Sequence, residues 1–330
     1  MSICATVGRP IITALDVCIH DGFVVFEHPE VNQELLYHIL KWLESSWSRR
    51  GQTGSQMNLN TDLIRRTMIA LPEDTHEQEA IAGVLSDADA LIESLEGLIA
   101  KKRQIKQGAV QELLRPPPSS PTRLLRDVSS MKGRIGWQGL KQSEFTTNEG
   151  DPFLITGMNF RDGAIDWSDV YHVSRERYDM APEIQLRSED VLMTKDGTIG
   201  KLLFVEEIPS LGLATLNSHL LLFRPLRGSY KPRFLYYQLQ SKHFQDFIEL
   251  NKSGTTFFGL SEEAVGRYAV PLPPLNRQVE VANILSDMDT EITALEDKLA
   301  KARQIKQGMM QELLTGRIRL VSGELRMENG

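Results

Sequence analysis

Cysteine is nearly absent: the 330 residues hold two, Cys4 and Cys18. Two cysteines build neither a disulfide framework nor a metal-ligand pair, so both are expected as core thiols in a reducing compartment. Long apolar runs are missing as well. No stretch approaches the roughly 18 residues of a membrane span, and no basic, apolar, small-residue leader opens the chain, so a cytoplasmic protein away from membranes is expected. The seven histidines show no HExxH or paired spacing, and no metal site is expected. No Asp-Pro-Pro-Tyr or Asn-Pro-Pro-Phe run is present to hold an adenine amino group for methyl transfer. A complete P-loop is missing too. Gly197-Thr198-Ile199-Gly200-Lys201 is too closely spaced for a phosphate cradle, has Leu202 where magnesium needs a hydroxyl, and reads as a glycine turn between strands. The chain is therefore expected to be non-catalytic. Positive charge is in deficit, with a net charge of -7, which excludes binding of nucleic acid by bulk electrostatics. Any such contact must be local.

What the sequence does contain is a repeat. Residues 78–114 and 278–314 align without a gap at an offset of 200 and match at 21 of 37 positions. Neither copy has an internal proline, and apolar residues fall at helical spacing, so each predicts one long helix. The stripes are Leu85, Ala88, Ile92, Leu95 and Ile99 in the first copy, and Leu285, Met288, Ile292, Leu295, Leu299 and Ala302 in the second. Alternating steps of three and four are those of a coiled-coil seam. Beyond it the stripe is expected to step to Ile105, Ala109, Leu113 and to Ile305, Met309, Leu313. A long helix with one apolar face needs a partner, and the matched partner is the other copy.

Weaker repeats flank the helices. Thr6-Val7-Gly8-Arg9 corresponds to Thr198-Ile199-Gly200-Lys201 at an offset of 192, and Thr53-Gly54-Ser55 to Ser253-Gly254-Thr255 at 200. The organisation expected is an incomplete first domain over 1–72, a helix over 73–115, a proline-rich linker over 116–122, a second domain over 123–272, a second helix over 273–315 and a tail over 316–330. By the 192 offset Met1 corresponds to position 193, so the first domain has no counterpart of residues 123–192 and is expected to expose Ile11-Ile12 and Phe23 to Phe26. In the second domain Leu220 to Phe223 reads as a strand and Pro232 to Leu250 as one helix. The fold class is α+β: domains of mixed strands and helices joined by two long antiparallel coiled-coil helices.

The segment Leu272-Pro273-Pro274-Leu275, then Gln278, the Ile284 to Asp289 run and the Ala302 to Gly316 tail, largely repeated after the first domain, resemble the specificity subunits of Type I restriction-modification systems. The resemblance spans essentially the whole chain. It implies two target recognition domains, each reading one half of a split site in double-stranded DNA, with the paired helices setting the distance between halves. It also implies partners: modification (methyltransferase) subunits carrying S-adenosylmethionine chemistry, and a restriction (translocase/nuclease) subunit using ATP and magnesium. No cofactor is implied for this chain. The shortened first domain departs from the family, and its half-site is expected to go unread while the second domain binds its own. Two other readings stay open, a coiled-coil scaffold or transcription-factor-like module, and an inactive decayed fragment of such a subunit.

Several residues are candidates for contact with DNA. Thr53, Ser55 and Gln56, and Ser253, Gly254, Thr255 and Thr256, are small and hydroxyl-rich, so their backbone can approach a phosphate or a base edge; a plain polar loop has the same composition. Lys195, Thr198 and Lys201 surround a glycine turn and suit phosphates. Arg134 and Lys141 flank Trp137, itself read as core, and Asn159 and Arg161 lie in a turn-prone stretch with side chains of the types that read adenine and guanine. Lys101, Lys102, Arg103 and Lys106, with Lys301, Arg303 and Lys306, form basic helix ends, read as a solvated face or as contacts to spacer DNA or a modification subunit.

Overall fold

The structure is a computed structural model and describes the whole chain except residues 5, 51–58, 116–120, 135–138, 162, 210–211, 255–257, 322–323 and 328–330, and the side chains of 48–50, 321 and 324–327. In chain order the elements are α1 (Gln33–Arg50), α2 (Thr61–Arg65), α3 (Thr75–Leu113), β1 (Thr122–Leu124), α4 (Leu125–Val128), β2 (Ser129–Lys132), β3 (Phe153–Ile155), β4 (Phe160–Arg161), β5 (Ala164–Ile165), β6 (Tyr171–His172) and α5 (Arg175–Asp179). There follow β7 (Val191–Thr194), β8 (Leu202–Phe204), β9 (Ala214–Leu216), β10 (Leu220–Pro225), α6 (Pro232–Gln240), α7 (Lys242–Asn251), α8 (Glu262–Gly266), β11 (Ala269–Pro271), α9 (Leu275–Leu313), β12 (Ile318–Val321) and β13 (Glu324–Met327). The chain divides into two compact units, Met1–Lys101 with Glu291–Gly330, and Lys102–Thr290. Each unit therefore owns part of α3 and part of α9.

In the first unit α1 starts at Asn32, whose Oδ1 accepts the Glu34 and Leu35 N–H groups at 3.0 Å, as an N-cap should. Leu35 and Ile39 pack with Ile81 and Leu85 of α3 and with Met310 and Leu313 of α9. The two long helices run antiparallel here: Arg319, just past α9, donates two bonds to Glu77 near the start of α3, Lys306 pairs with Asp89, and Arg303 pairs with Glu96.

The second unit is built on a four-stranded antiparallel sheet in the order β2-β10-β7-β8. Side chains alternate across a strand, and both faces of this sheet are covered. Leu221, Phe223, Val191 and Met193 face Phe234, Leu235 and Phe244 of α6 and α7. Leu220, Leu222, Leu192 and Leu203 face Ile155 and Leu216, which belong to a second sheet, β6-β3-β9, with β3 parallel to β9. Coverage on both sides explains why Leu220 to Phe223 reads as an unbroken apolar run. On this unit's helix portions Lys106 pairs with Asp289, and Leu285 joins the core with Leu114.

Leu85 and Leu285 are fully buried and Ile99, Ile292 and Leu295 nearly so, while Ile92, Leu95, Met288 and Leu299 are half-buried. Four expectations need correction. Ile105 and Ile305 are about half exposed, at 48% and 53%, because the inward position beyond Ile99 and Leu299 falls to Lys106 and Lys306. Those lysines are consequently neither a solvated face nor free for DNA; each ends on an aspartate of the other helix. The helix expected over Pro232 to Leu250 is divided at Ser241, whose extended backbone and Oγ cap a second helix at Phe244 N–H. Finally, Cys18 is exposed and Cys4 only half-buried, since the described residues lay nothing over the 15–21 segment.

Candidate nucleic-acid interface

At the end of β7 the chain turns back into β8 through Thr194 to Lys201. Thr194 holds the turn with its side chain: Oγ1 donates to the Thr198 carbonyl and accepts the Lys201 N–H at 3.0 Å, while Gly200 N–H donates to the Thr194 carbonyl at 2.9 Å. Gly200 has φ +83°, and a Cβ there would stand 2.7 Å from Ile248 Cδ1, so glycine is required.

Two further loops dock on this turn. Ser253 and Gly259 exchange backbone bonds at 3.0 and 2.9 Å, Gly197 N–H donates to Phe258 at 3.2 Å, and Leu260 N–H donates to the Lys195 carbonyl at 2.8 Å. From the other side Lys195 N–H reaches the His219 carbonyl at 2.9 Å, and the His219 ring lies 3.2 Å from Asp196. Lys195, Thr198, Lys201, Ser253 and Gly254, far apart in sequence, are thereby brought to one place, half-buried at Lys195 and exposed at the others. Lys252 lies over the Phe258 ring at 4.9 Å. His219 belongs to this cluster and sequence reasoning missed it, because a lone polar residue before an apolar strand carries no signal.

Arg134 and Asn159 do not belong to such a surface, and their reading as DNA contacts is withdrawn. Arg134 is 3% exposed; its guanidinium donates to the Leu216 carbonyl at 2.8 Å and to Thr215 Oγ1 at 3.1 Å, and burial pulls its pKa down to about 10. Asn159 is also buried, accepting from Thr156 and donating to the Asp169 carbonyl at 2.8 Å, which braces a turn. Arg161 is exposed and paired with Asp166 at 3.0 Å, and Lys141 is exposed. Thr53, Ser55, Gln56, Trp137, Thr255 and Thr256 lie outside the described residues.

Among its described residues the first unit repeats the bonds of the Thr194 turn and the backbone bonds of Lys195. Ser2 takes the place of Thr194: its Oγ donates to the Thr6 carbonyl and accepts Arg9 N–H at 3.2 Å, and Gly8 N–H donates to the Ser2 carbonyl at 2.9 Å. Gly8, at φ +86°, stands where Gly200 does. Ile3 N–H bonds to Gly22 and its carbonyl accepts from Leu59, as Lys195 does with His219 and Leu260. Even the brace before the strand recurs, His20 Nδ1 accepting Gly22 N–H at 2.9 Å where Asn217 Oδ1 accepts His219 N–H at 3.1 Å. The tips differ in charge. Arg9, 67% exposed, matches Lys201, whereas Ile3 and Gly22 replace Lys195 and His219.

Each unit is fastened to its helix by an equivalent buried glutamine. Gln78 accepts Asn32 N–H at 2.9 Å and donates to the Pro72 carbonyl at 2.8 Å; Gln278 accepts Lys231 N–H and donates to the Pro273 carbonyl, both at 2.8 Å. Among the described residues no group of three or more His, Cys, Asp or Glu is placed to hold a metal ion, and no helix is long and apolar enough to cross a membrane.

Two domains built on one repeated frame, joined to two repeated antiparallel helices, define the class. Residues 1–104 and 125–305 match the family described as the Type I restriction modification DNA specificity domain, and the chain belongs to that family. It is 23% identical over 306 residues to the Type I restriction enzyme MjaVIII specificity subunit of Methanocaldococcus jannaschii, covering 86% of this chain and 70% of that protein. Among solved structures, the Type I restriction-modification S subunit of M. genitalium is similar at 17% identity and a TM-score of 0.57, over 86% of this chain and 73% of that one. A chain of another type I R-M system is similar at 18% identity and a TM-score of 0.56, over 86% and 71%. At such identities the likeness is one of fold.

Proposed function

We propose that this chain directs a Type I restriction-modification complex to its DNA, and that the second domain does so through the Thr194 to Lys201 turn and the loops docked on it. The observation that carries this reading is the convergence of Lys195, Lys201, Ser253 and His219 on a turn whose own side chain fixes it, in a chain of the DNA-specificity family. Lysines on a rigid turn hold phosphates and set register, while hydroxyls and imidazole beside them reach base edges. The first domain has the frame with one cation, Arg9, and contributes backbone contact more than discrimination. Modification subunits supply S-adenosylmethionine chemistry, and a restriction subunit supplies ATP- and magnesium-dependent cleavage, in the cytoplasm.

Methylation mapping after co-expression with the modification subunit tests this. The expected map shows one strictly defined half-site, and Lys195→Ala or Lys201→Ala weakens binding at all sequences while lowering the salt slope by about one phosphate contact each. Unchanged slopes in both variants would remove the turn from the interface. Methyl transfer by the purified chain alone would overturn the reading as a whole.

A further inference from the structure

The second unit is hollow where α3 ends. A cavity of about 340 Å³ lies between the last turn of α3, the β1–β11 pair and the bend from α6 into α7, and every residue lining it belongs to this unit. That volume falls in the range of pockets that take a small molecule. The walls are almost wholly apolar, Val110 and Pro271 among them. In the other copy of the repeat the residue matching Val110 is Met310, buried in the first unit's core. The shorter valine leaves space at this step of the repeat.

Most polar groups at the wall already have partners. His243 Nδ1 lies 3.0 Å from the Tyr268 hydroxyl, and Ser241 Oγ accepts the Phe244 N–H. Lys242 is paired with Asp246 and Arg115 with Glu112, so neither cation is left to favour an anion. Gln238 is the exception. It lines the cavity at 2% exposure, and its Oε1 is buried with no hydrogen bond from a described residue. A buried acceptor is costly unless a donor meets it.

We propose that this cavity binds a small, neutral, largely apolar molecule with a single hydrogen-bond donor, the chemistry of indole, and that the donor bonds to Gln238 Oε1. The apolar walls take the rings out of water, and the N–H supplies what the glutamine lacks. Because one wall is the end of α3 and the others belong to the domain packed on it, an occupant also braces that join. The proposal is independent of DNA recognition.

Equilibrium dialysis of the full chain against indole, and against indene, which keeps the shape and lacks the donor, is the test. Indole is expected to bind saturably, and indene at least about tenfold more weakly, since a site with a buried acceptor rejects the analogue that leaves it unpaired. Gln238→Leu is expected to close that gap, weakening indole and sparing indene. Val110→Met, which installs the other copy's residue, is expected to fill the cavity and abolish binding of both, with a thermal melt no lower than the parent's. Should Gln238→Leu fail to fold, the indole and indene affinities of the parent and the Val110→Met result still decide. No saturable indole binding, equal affinities for indole and indene in the parent, or undiminished binding by Val110→Met would each overturn the proposal.

Discussion

The two domains share a loop frame and differ in what surrounds it. In the second, the strand that follows the brace, Leu220 to Phe223, is buried between β2 and β7, with exposures of 0 to 1%. In the first, the corresponding residues Phe23 and Val25 are 37% and 54% exposed, and Ile11 is 68% exposed. Yet the turns from Ser2 to Arg9 and from Thr194 to Lys201 keep the same bonds. The frame is thus held by its own hydroxyl, its glycine and one strand neighbour, and the surrounding sheet adds stability without setting the geometry. A second contrast lies where each domain meets its helices. His38 and Gln238 occupy equivalent buried positions, 1% and 2% exposed, but only one of them can take up a proton.

The comparison breaks most sharply in the helix cores. Leu85 and Leu285 are both fully buried; truncation to alanine should cost about 2–5 kcal/mol, more at Leu285, which sits in the larger core. Urea melts of the two variants measure the difference, and equal small losses would mean that the helices do not pack as described.

His38 sharpens it next. Burial, with Lys306 nearby, pulls its pKa from 6.5 down to about 4, so the folded imidazole is neutral. As pH falls below 6.5 the unfolded chain takes up a proton that the folded chain refuses, and stability declines until about pH 4, where both are protonated. His38→Gln, which installs the second unit's residue, should remove up to about 3 kcal/mol of that acid loss. A parent and variant with parallel stability curves between pH 6.5 and 4 would contradict this.

A smaller effect is expected from the ion pairs. Asp89→Ala strands Lys306, which is 6% exposed, and Asp289→Ala strands Lys106 together with the Tyr237 hydroxyl that donates to Asp289 at 2.8 Å. Each should cost about 1–3 kcal/mol, read as a lowered melting temperature. Smallest of all is the contrast between turn tips. Arg9→Ala should reduce DNA affinity less than Lys201→Ala at the same salt, since Arg9 acts without a counterpart of Lys195 beside it; the reverse order in a binding titration would give the first domain the leading role.

Periodicity made the helices legible, because a seam of threes and fours leaves few alternatives, and it failed where a lysine sat on the seam. Nothing local marks Lys106 and Lys306 as inward-facing; only the aspartate on the other helix, 183 or 217 residues away in sequence, makes that position tolerable. The short repeat Thr6 to Arg9 and Thr198 to Lys201 was likewise visible, but the residue that fixes each turn, Ser2 or Thr194, lies just before the matched stretch and differs between copies. Arg134 and Asn159 misled for the opposite reason. Their residue types suit base edges, and burial is a property of the fold that their neighbours in sequence do not announce.

One feature of the helix junction bears on how such a chain changes over generations. Gln78 and Gln278 grip backbone groups alone, the amides of Asn32 and Lys231 and the carbonyls of Pro72 and Pro273. A main-chain handle is blind to side-chain identity. Asn32 and Lys231 have nothing chemical in common, yet the same glutamine holds both. A domain can therefore drift through its whole sequence, or be exchanged for another, and still be held at the helix, so long as its backbone arrives at the same two points.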